Sequence, residues 1–314
     1  MFSIDAELPA RRHDLGLDGI APSALTPSVA VVTGGSRGIG RMTACALAGA
    51  GAAVAVLARS HDDLHETVAE IEREGGTAMA AIADVLDPAS MAAALDRVWR
   101  AFGSVDLLVN NAGVLGPIGP LWEVDAADWW HTMEVNLRGV LTCSQAVLPK
   151  MVARRRGRIV NIASQAGVHR WPLVSAYSVS KAALVKLTEN LAHETARFGV
   201  GVFSVHPGLL PIGMSETALP DDQEADAYAT HIKAWVAHEI AVGRGGDPRR
   251  AMRLLVRIAR GDADALSGRH VSVHDDLDDL LARIDVVREH DLYVMRPERF
   301  EPEPGAPVDG EVAA

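Results

Sequence analysis

A short apolar, largely β-branched run, Val29 to Thr33, passes directly into Gly34-x-x-x-Gly38-x-Gly40 and then into the apolar stretch MTACALAGA. A strand apolar at every position must be buried on both faces, and in α/β proteins helices supply that cover. Glycine in the turn between strand and helix lets backbone N–H groups approach a pyrophosphate at the helix N-terminus, because no Cβ intervenes. Arg37, inside the same loop, adds a cation near the adenosine phosphates. Glycine clusters also serve ordinary tight turns; the position between strand and helix is what points to a phosphate cradle.

The same alternation continues. AAVAVLARS reads as a strand ending at Ala58-Arg59, TAMAAIADV as one ending at Asp84, and VDLLVNNAG as one delivering Asn110, Asn111, Ala112 and Gly113. RIVNIAS ends at Ser164, GVGVFSVHPG closes at Pro207-Gly208, and SGRHVSVHDD supplies the last strand. Strand and helix alternate from Val29 to Val273, which predicts an α/β chain with a doubly wound parallel sheet of about seven strands and helices on both faces. Open sheets of this kind bind ligands outside the C-terminal ends of their strands, where all of these residues fall.

Three segments flank or interrupt that pattern. Residues 1–27, with Pro9, Pro22 and Pro27, read as an N-terminal extension, loosely ordered or packed on a neighbour. The main domain spans 28–273, and its polar excursion at 209–246 is a candidate substrate lid. Residues 274–314 form a C-terminal extension of one helix and a disordered end, EPEPGAPVDGEVAA.

Composition narrows the class. A chain of 314 residues with net charge −11 has no basic stripe to hold nucleic acid. Arg154-Arg155-Arg156 with Arg158 reads as a solvated helix end. Cys45 and Cys143 show neither a disulfide framework nor metal-ligand spacing, so free thiols in a reducing cytoplasm are expected. No apolar h-region opens the chain and no apolar run is long enough for a membrane span.

The chemistry concentrates in NIASQAGVHRWPLVSAYSVSKAALVKLTENLAHE. Tyr177 and Lys181 sit four residues apart in a helical pattern, which stacks a phenol and an ammonium on one face. The ammonium is expected to favour phenolate, easing proton movement near neutral pH. Thirteen residues upstream, Ser164 can return a hydroxyl towards that phenol. A Tyr-x-x-x-Lys pair is, by itself, more often a surface pair. At the end of the second strand an acid would bind a ribose 2′-hydroxyl; Ala58-Arg59 stands there instead, and a guanidinium fork suits a 2′-phosphate. NADP(H) is therefore preferred, with NAD(H) the alternative and a solvated Arg59 the bland one. Asp84 either accepts from the adenine amino group or caps the helix opened by Pro88. The Asn side chains at 110 and 111 can stitch neighbouring strands. Trp122, Trp129 and Trp130 read as core or interface, and Asn136 as a satisfied amide or a water holder.

Taken together, Thr33-Gly34-Gly35-Ser36-Arg37-Gly38-Ile39-Gly40, Asn110-Asn111-Ala112-Gly113, Asn136, Ser164, Tyr177-x-x-x-Lys181 and Pro207-Gly208 resemble the short-chain dehydrogenase/reductase family, over roughly residues 28–273. The resemblance implies a Rossmann fold, an NAD(P)-dependent oxidoreductase acting on CH–OH groups, and a homodimer or homotetramer joined through helices at 125–152 and 175–198. It implies Tyr177 as general acid or base, Lys181 on the nicotinamide ribose, Ser164 on the substrate oxygen and Asn136 on a water of the proton relay. It also implies cofactor contacts from Gly34, Ser36, Arg37, Gly38, Ile39, Gly40, Arg59, Asp84, Val85, Asn111, Ala112, Gly113, Tyr177, Lys181, Pro207 and Gly208. Three departures stand out. Ile212 occupies the position of a frequent Thr that holds the nicotinamide amide, with Ser215 or a backbone group as substitute. Gly201 and Phe203 replace a frequent Arg and Asn, and the C-terminal extension is long, able to cover a neighbour's site or its own.

The substrate pocket is expected from Leu115 to Ile118, from Ser164, Gln165, Val168, His169, Trp171 and Tyr177, and from the lid. These are mostly apolar, so a medium-sized apolar ketone or secondary alcohol is the expected substrate. The rival reading is a catalytically silent, cofactor-binding regulatory protein on the same fold.

Overall fold

The computed structural model describes residues 12–210, 212–213 and 227–297. Strand β1 (Val29–Thr33) leads through the glycine turn into α1 (Gly38–Gly49), and β2 (Ala53–Ala58) into α2 (His61–Arg73). Strand β3 (Thr77–Ile82) is followed by α3 (Pro88–Phe102), then β4 (Leu107–Asn110). Helices α4 (Ala126–Met133) and α5 (Gly139–Ala153) flank a π-helical turn at Glu134–Arg138. There follow β5 (Gly157–Ile162), α6 (Ser175–Thr195) and β6 (Val200–His206). Beyond the excursion lie α7 (Ala227–Ala241), α8 (Pro248–Arg260), β7 (His270–Ser272), α9 (Leu277–Ala282) and α10 (Ile284–Glu289).

The seven strands form one sheet in the order β3-β2-β1-β4-β5-β6-β7, every pairing parallel. Neighbouring positions within each strand feed opposite layers, as the period of two demands. Ala30 and Val32 pack with α1 and α8, while Val29 and Val31 pack with α3 and α5. The expected doubly wound Rossmann arrangement is what the chain adopts. Strand order reverses between β1 and β4, which opens a crevice at their C-terminal ends.

Several finer expectations are corrected. Residues 12–27 are neither loose nor set on a neighbour: Leu15, Leu17, Ile20 and Leu25 lie in the same core as α1 and α8. Each such burial contributes about 1.5–3 kcal/mol, and Arg253 Nε donates to the Gly16 carbonyl at 3.1 Å. The helix opened by Pro88 is capped by Asp87, whose carboxylate accepts from Ala89 N, and not by Asp84. The basic run follows the end of α5 with Arg155 and Arg156 exposed, as a solvated helix end requires, but its other members are paired: Arg154 with Asp106 at 3.3 Å, and Arg158 with both oxygens of Asp264 at 2.7 and 2.6 Å. Trp122 and Trp130 are exposed, at 84% and 63%, so neither is core.

The C-terminal extension carries two short helices where one was expected, and it returns to the sheet. On edge strand β7, His270 N donates to the Tyr293 carbonyl at 2.8 Å and Ser272 N to the Asp275 carboxylate at 2.7 Å. Arg296 ion-pairs with Glu189 on α6, holding that carboxyl down at about 2. The polar tail expected at 301–314 lies outside the described residues, as do residues 211 and 214–226 of the excursion.

Candidate active site

A cavity of about 770 Å³ runs along the C-terminal ends of the strands, beside the β1/β4 reversal. That size suits a ligand much larger than a metabolite fragment. One end is made mostly of backbone. Gly34 has φ +62°, and a Cβ there would stand 2.9 Å from Ala112 Cα; a Cβ on Gly40 would stand 2.2 Å from the Gly34 carbonyl oxygen. Only glycine permits a turn this close to its own neighbours. Asn111 locks it, donating from Nδ2 to the carbonyls of Thr33 and Gly34, both at 3.0 Å, while Thr33 Oγ1 accepts from the N–H groups of Asn111 and Ala112. The β1 turn and the β4 turn are thus one rigid piece.

Around that piece the cavity is lined by Ser36, Arg37, Gly38, Ile39, Arg59, Asp84 and Val85, together with Asn111, Ala112 and Gly113. Asp84 Oδ1 accepts from Leu86 N at 2.9 Å, which fixes the carboxylate at the wall. Arg37 and Arg59 make no ion pair among the described residues. A cradle that a Cβ would fill, donor-rich backbone and two uncompensated guanidinium groups fit a dinucleotide phosphate chain. The expected strand stitching is also present: Asn110 Nδ2 donates to Asn161 Oδ1 at 2.9 Å, and Asn161 Nδ2 to Thr188 Oγ1 at 2.9 Å.

The other end is made of side chains. Helix α6 buries Ala176, Ser180, Leu184, Val185 and Thr188 along one helical stripe, and Lys181 is buried with them. Its Nζ donates to the Ile162 carbonyl at 2.7 Å and stands 5.5 Å from the centre of the Tyr177 ring. Burial pulls the Lys181 ammonium down to about 8. Ser164 caps the turn at Gln165–Gly167 by accepting from Ala166 N, and its hydroxyl shares the cavity wall with the Tyr177 phenol, whose ionised form it favours. Against the expectation of an eased proton, desolvation raises the phenol's pKa, with the Ser164 hydroxyl pulling the other way.

The Asn136 amide is satisfied by protein groups. Its Oδ1 accepts from Val114 N at 2.8 Å, and its Nδ2 donates to the Val114 carbonyl at 2.9 Å and to Ser180 Oγ at 3.0 Å. The amide braces the exit of the β4 turn against α6, one residue before Lys181, from within a π-helical turn of the sort common at functional sites. Trp129 adds a second brace, donating to Ser175 Oγ at 3.0 Å.

Ser164, Trp171, Tyr177, Lys181, Pro207 and Gly208 all line the cavity, as does Ile212; Gln165 and His169 do not, and Ser215 lies outside the described residues. Among the lining residues that the sequence reading did not single out are Asp63, His131, Arg170 and His206, while His231 and Trp235 fall within the expected lid at 209–246. Trp235 on α7 meets Trp171 edge to face, with ring centres 4.8 Å apart. The apolar trio Ala234-Trp235-Val236, inside an otherwise polar excursion, was the available signal. Beneath them His206 and His270 are buried and held neutral, pulled down to about 3 and about 4, chiefly by desolvation. Among the described residues no cluster of acids, histidines and cysteines is placed to hold a metal ion, and no helix is long and apolar enough to cross a membrane.

The sequence profile of the family described as short chain dehydrogenase matches residues 28–223. A short chain dehydrogenase of Monascus purpureus, mpl6, is 35% identical over 266 residues, 83% of this chain and 85% of that protein. Among solved structures, an actinorhodin polyketide ketoreductase with NADPH is similar at a TM-score of 0.71 and 30% identity, over 79% of this chain and 96% of that one. An NAD+-bound xylitol dehydrogenase is similar at 0.69 and 27%, over 78% and 96%.

Proposed function

The chain belongs to the short-chain dehydrogenase family, and within it we propose a reductase of medium-sized, largely apolar ketones, or a dehydrogenase of the matching secondary alcohols. As a member it is an oxidoreductase that acts on alcohol or ketone groups. The observation that carries the finer reading is the single wall shared by Ser164 and Tyr177, with Lys181 anchored behind them. NADP(H), bound at the glycine end, supplies or takes up the hydride.

Each residue then has a task. The backbone of residues 34–40 and Arg37 receive the pyrophosphate, and Arg59 receives the ribose 2′-phosphate. Ser164 donates to the carbonyl oxygen and holds it beside the phenol. Tyr177 gives its proton to that oxygen as reduction proceeds, or removes one in oxidation. Its raised pKa keeps the phenol protonated at neutral pH, the form that reduction requires. Lys181 fixes the lower edge of the site, and Asn136 fixes α6 through Ser180. The Trp171–Trp235 wall excludes water and selects an apolar body. Asp63 also lines the adenosine end, and its carboxylate favours NAD(H) as the second reading. Assembly into a dimer or tetramer through α4 to α6 belongs to the same proposal, supported by exposed Trp130, Leu141 and Val179; a lone monomer in light scattering removes it.

Fluorescence titration with NADPH and NADH, then turnover of an apolar ketone panel, tests the reading. NADPH binds more tightly and is oxidised by ketones. Tyr177→Phe retains binding and loses turnover by about 10²–10⁴-fold. Turnover surviving in Tyr177→Phe excludes the phenol as acid. Binding without turnover in either direction shifts the assignment to a silent, cofactor-binding protein.

A further inference from the structure

Three arginines line the cavity, Arg37, Arg59 and Arg170, and none of them has an ion pair or side-chain hydrogen bond among the described residues. Several arginines elsewhere are paired: Arg158 holds Asp264, Arg257 holds Asp278, Arg260 holds Asp262 and Arg269 holds Asp291, whereas Arg73, Arg100 and Arg250 stand exposed on helices without a carboxylate among the described residues. What sets Arg37, Arg59 and Arg170 apart is their place on the cavity wall, where an unpaired guanidinium can meet the anion of a ligand. Arg37 and Arg59 have theirs in the cofactor phosphates. Arg170 lies at the opposite end, immediately before Trp171 on the segment that connects Ser164 to α6.

The charge around it is one-sided. The carboxylates that line the cavity are Asp63 and Asp84, both at the adenosine end. Towards Ser164 and Tyr177 the ionisable lining groups are His131, Arg170, Lys181, His206 and His231, with no aspartate or glutamate among the described residues. Of these, Lys181 is committed to Ile162, His206 is held neutral, and His131 has Glu134 at 3.9 Å. Among the described residues Arg170 is therefore the exposed cation that lines the substrate end without a carboxylate partner, next in sequence to Trp171 of the indole pair.

We propose that the substrate is an apolar or aromatic ketone bearing an anionic group, carboxylate or phosphate, at the end remote from the carbonyl, and that Arg170 receives this group. The assignment rests on the reductase reading above. Ser164 and Tyr177 would take the carbonyl, the two indoles the apolar body, and the guanidinium fork the anion.

The test compares 4-benzoylbutyrate with its methyl ester, which share carbonyl, ring and chain and differ in charge. With NADPH, the acid has a kcat/KM about tenfold or more above the ester, through KM. Arg170→Met brings the acid-to-ester ratio to about one, and Arg170→Lys keeps part of the preference. Calorimetric titration of the NADP+ complex with each compound reads the same selectivity without turnover. Turnover of both with no acid preference, or a ratio unmoved by Arg170→Met, overturns the anion site and leaves the reductase reading intact. Acid-selective, Arg170-dependent binding without turnover supports the anion site and removes the reductase reading instead.

Discussion

The two ends of the cavity are built from different materials. The glycine end is backbone: Gly34, Gly40 and the amide of Asn111 leave no freedom for a side chain to choose its place. The substrate end is side chains on a loop and a helix 64 positions apart, Trp171 and Trp235, whose meeting depends on tertiary packing. Backbone constraint makes the first end specific for phosphate and tolerant of little else. Side-chain construction lets the second change its ligand with a few substitutions while the first stays fixed.

That contrast can be broken or sharpened, beginning with the largest effect. Gly40→Ala drives a methyl into the Gly34 carbonyl, and overpacking of about 1–3 kcal/mol weakens NADPH binding by about ten- to hundredfold. Unchanged affinity would show that the backbone end yields more readily than its contacts imply. Next, Arg59→Asp replaces the cation at the adenosine rim, and the NADPH-to-NADH affinity ratio falls by about tenfold or more. A ratio that does not move returns Arg59 to solvent and gives the specificity to Asp63.

A third effect, on stability and not on binding, is acid softening beneath the substrate end. His206 and His270 have folded pKa values of about 3 and about 4, below the ordinary 6.5, because burial disfavours their charged form. The unfolded chain binds the extra protons, so stability is full above pH 6.5 and falls as pH drops towards 4, by at most about 1.4 kcal/mol per pH unit for each histidine. Asp275, pushed up by burial, opposes part of that loss. Urea midpoints at pH 7 and pH 5 measure the slope, and His206→Gln reduces it; equal midpoints in the unmodified chain would contradict the buried neutral pair.

Legibility in the sequence follows the same divide. Strand, glycine turn and helix are contiguous, so residues 29–49 declare both the sheet and the phosphate cradle through local spacing. Tyr177 and Lys181 share a helix, and their proximity is likewise local. The setting of that pair is not: Lys181 is anchored to a carbonyl 19 residues away, and it is burial in the folded chain that raises the phenol. Trp235 carried no spacing that tied it to Trp171. Leu15, Leu17, Ile20 and Leu25 follow no single period, so nothing local marked residues 12–27 as core. Asp84 and Asp87 both precede Pro88, and only the backbone conformation chooses Asp87 as the cap.

Edge strand β7 carries one last consequence. Its outward N–H groups, at His270 and Ser272, are both taken by the chain's own C-terminal region, through the Tyr293 carbonyl and the Asp275 carboxylate. A foreign strand therefore finds no row of donors to template on, and that margin of the sheet is protected against edge-to-edge aggregation. Shortening the chain before Tyr293 would bare the His270 N–H and leave Ser272 covered by Asp275, opening half of that margin to intermolecular β-pairing.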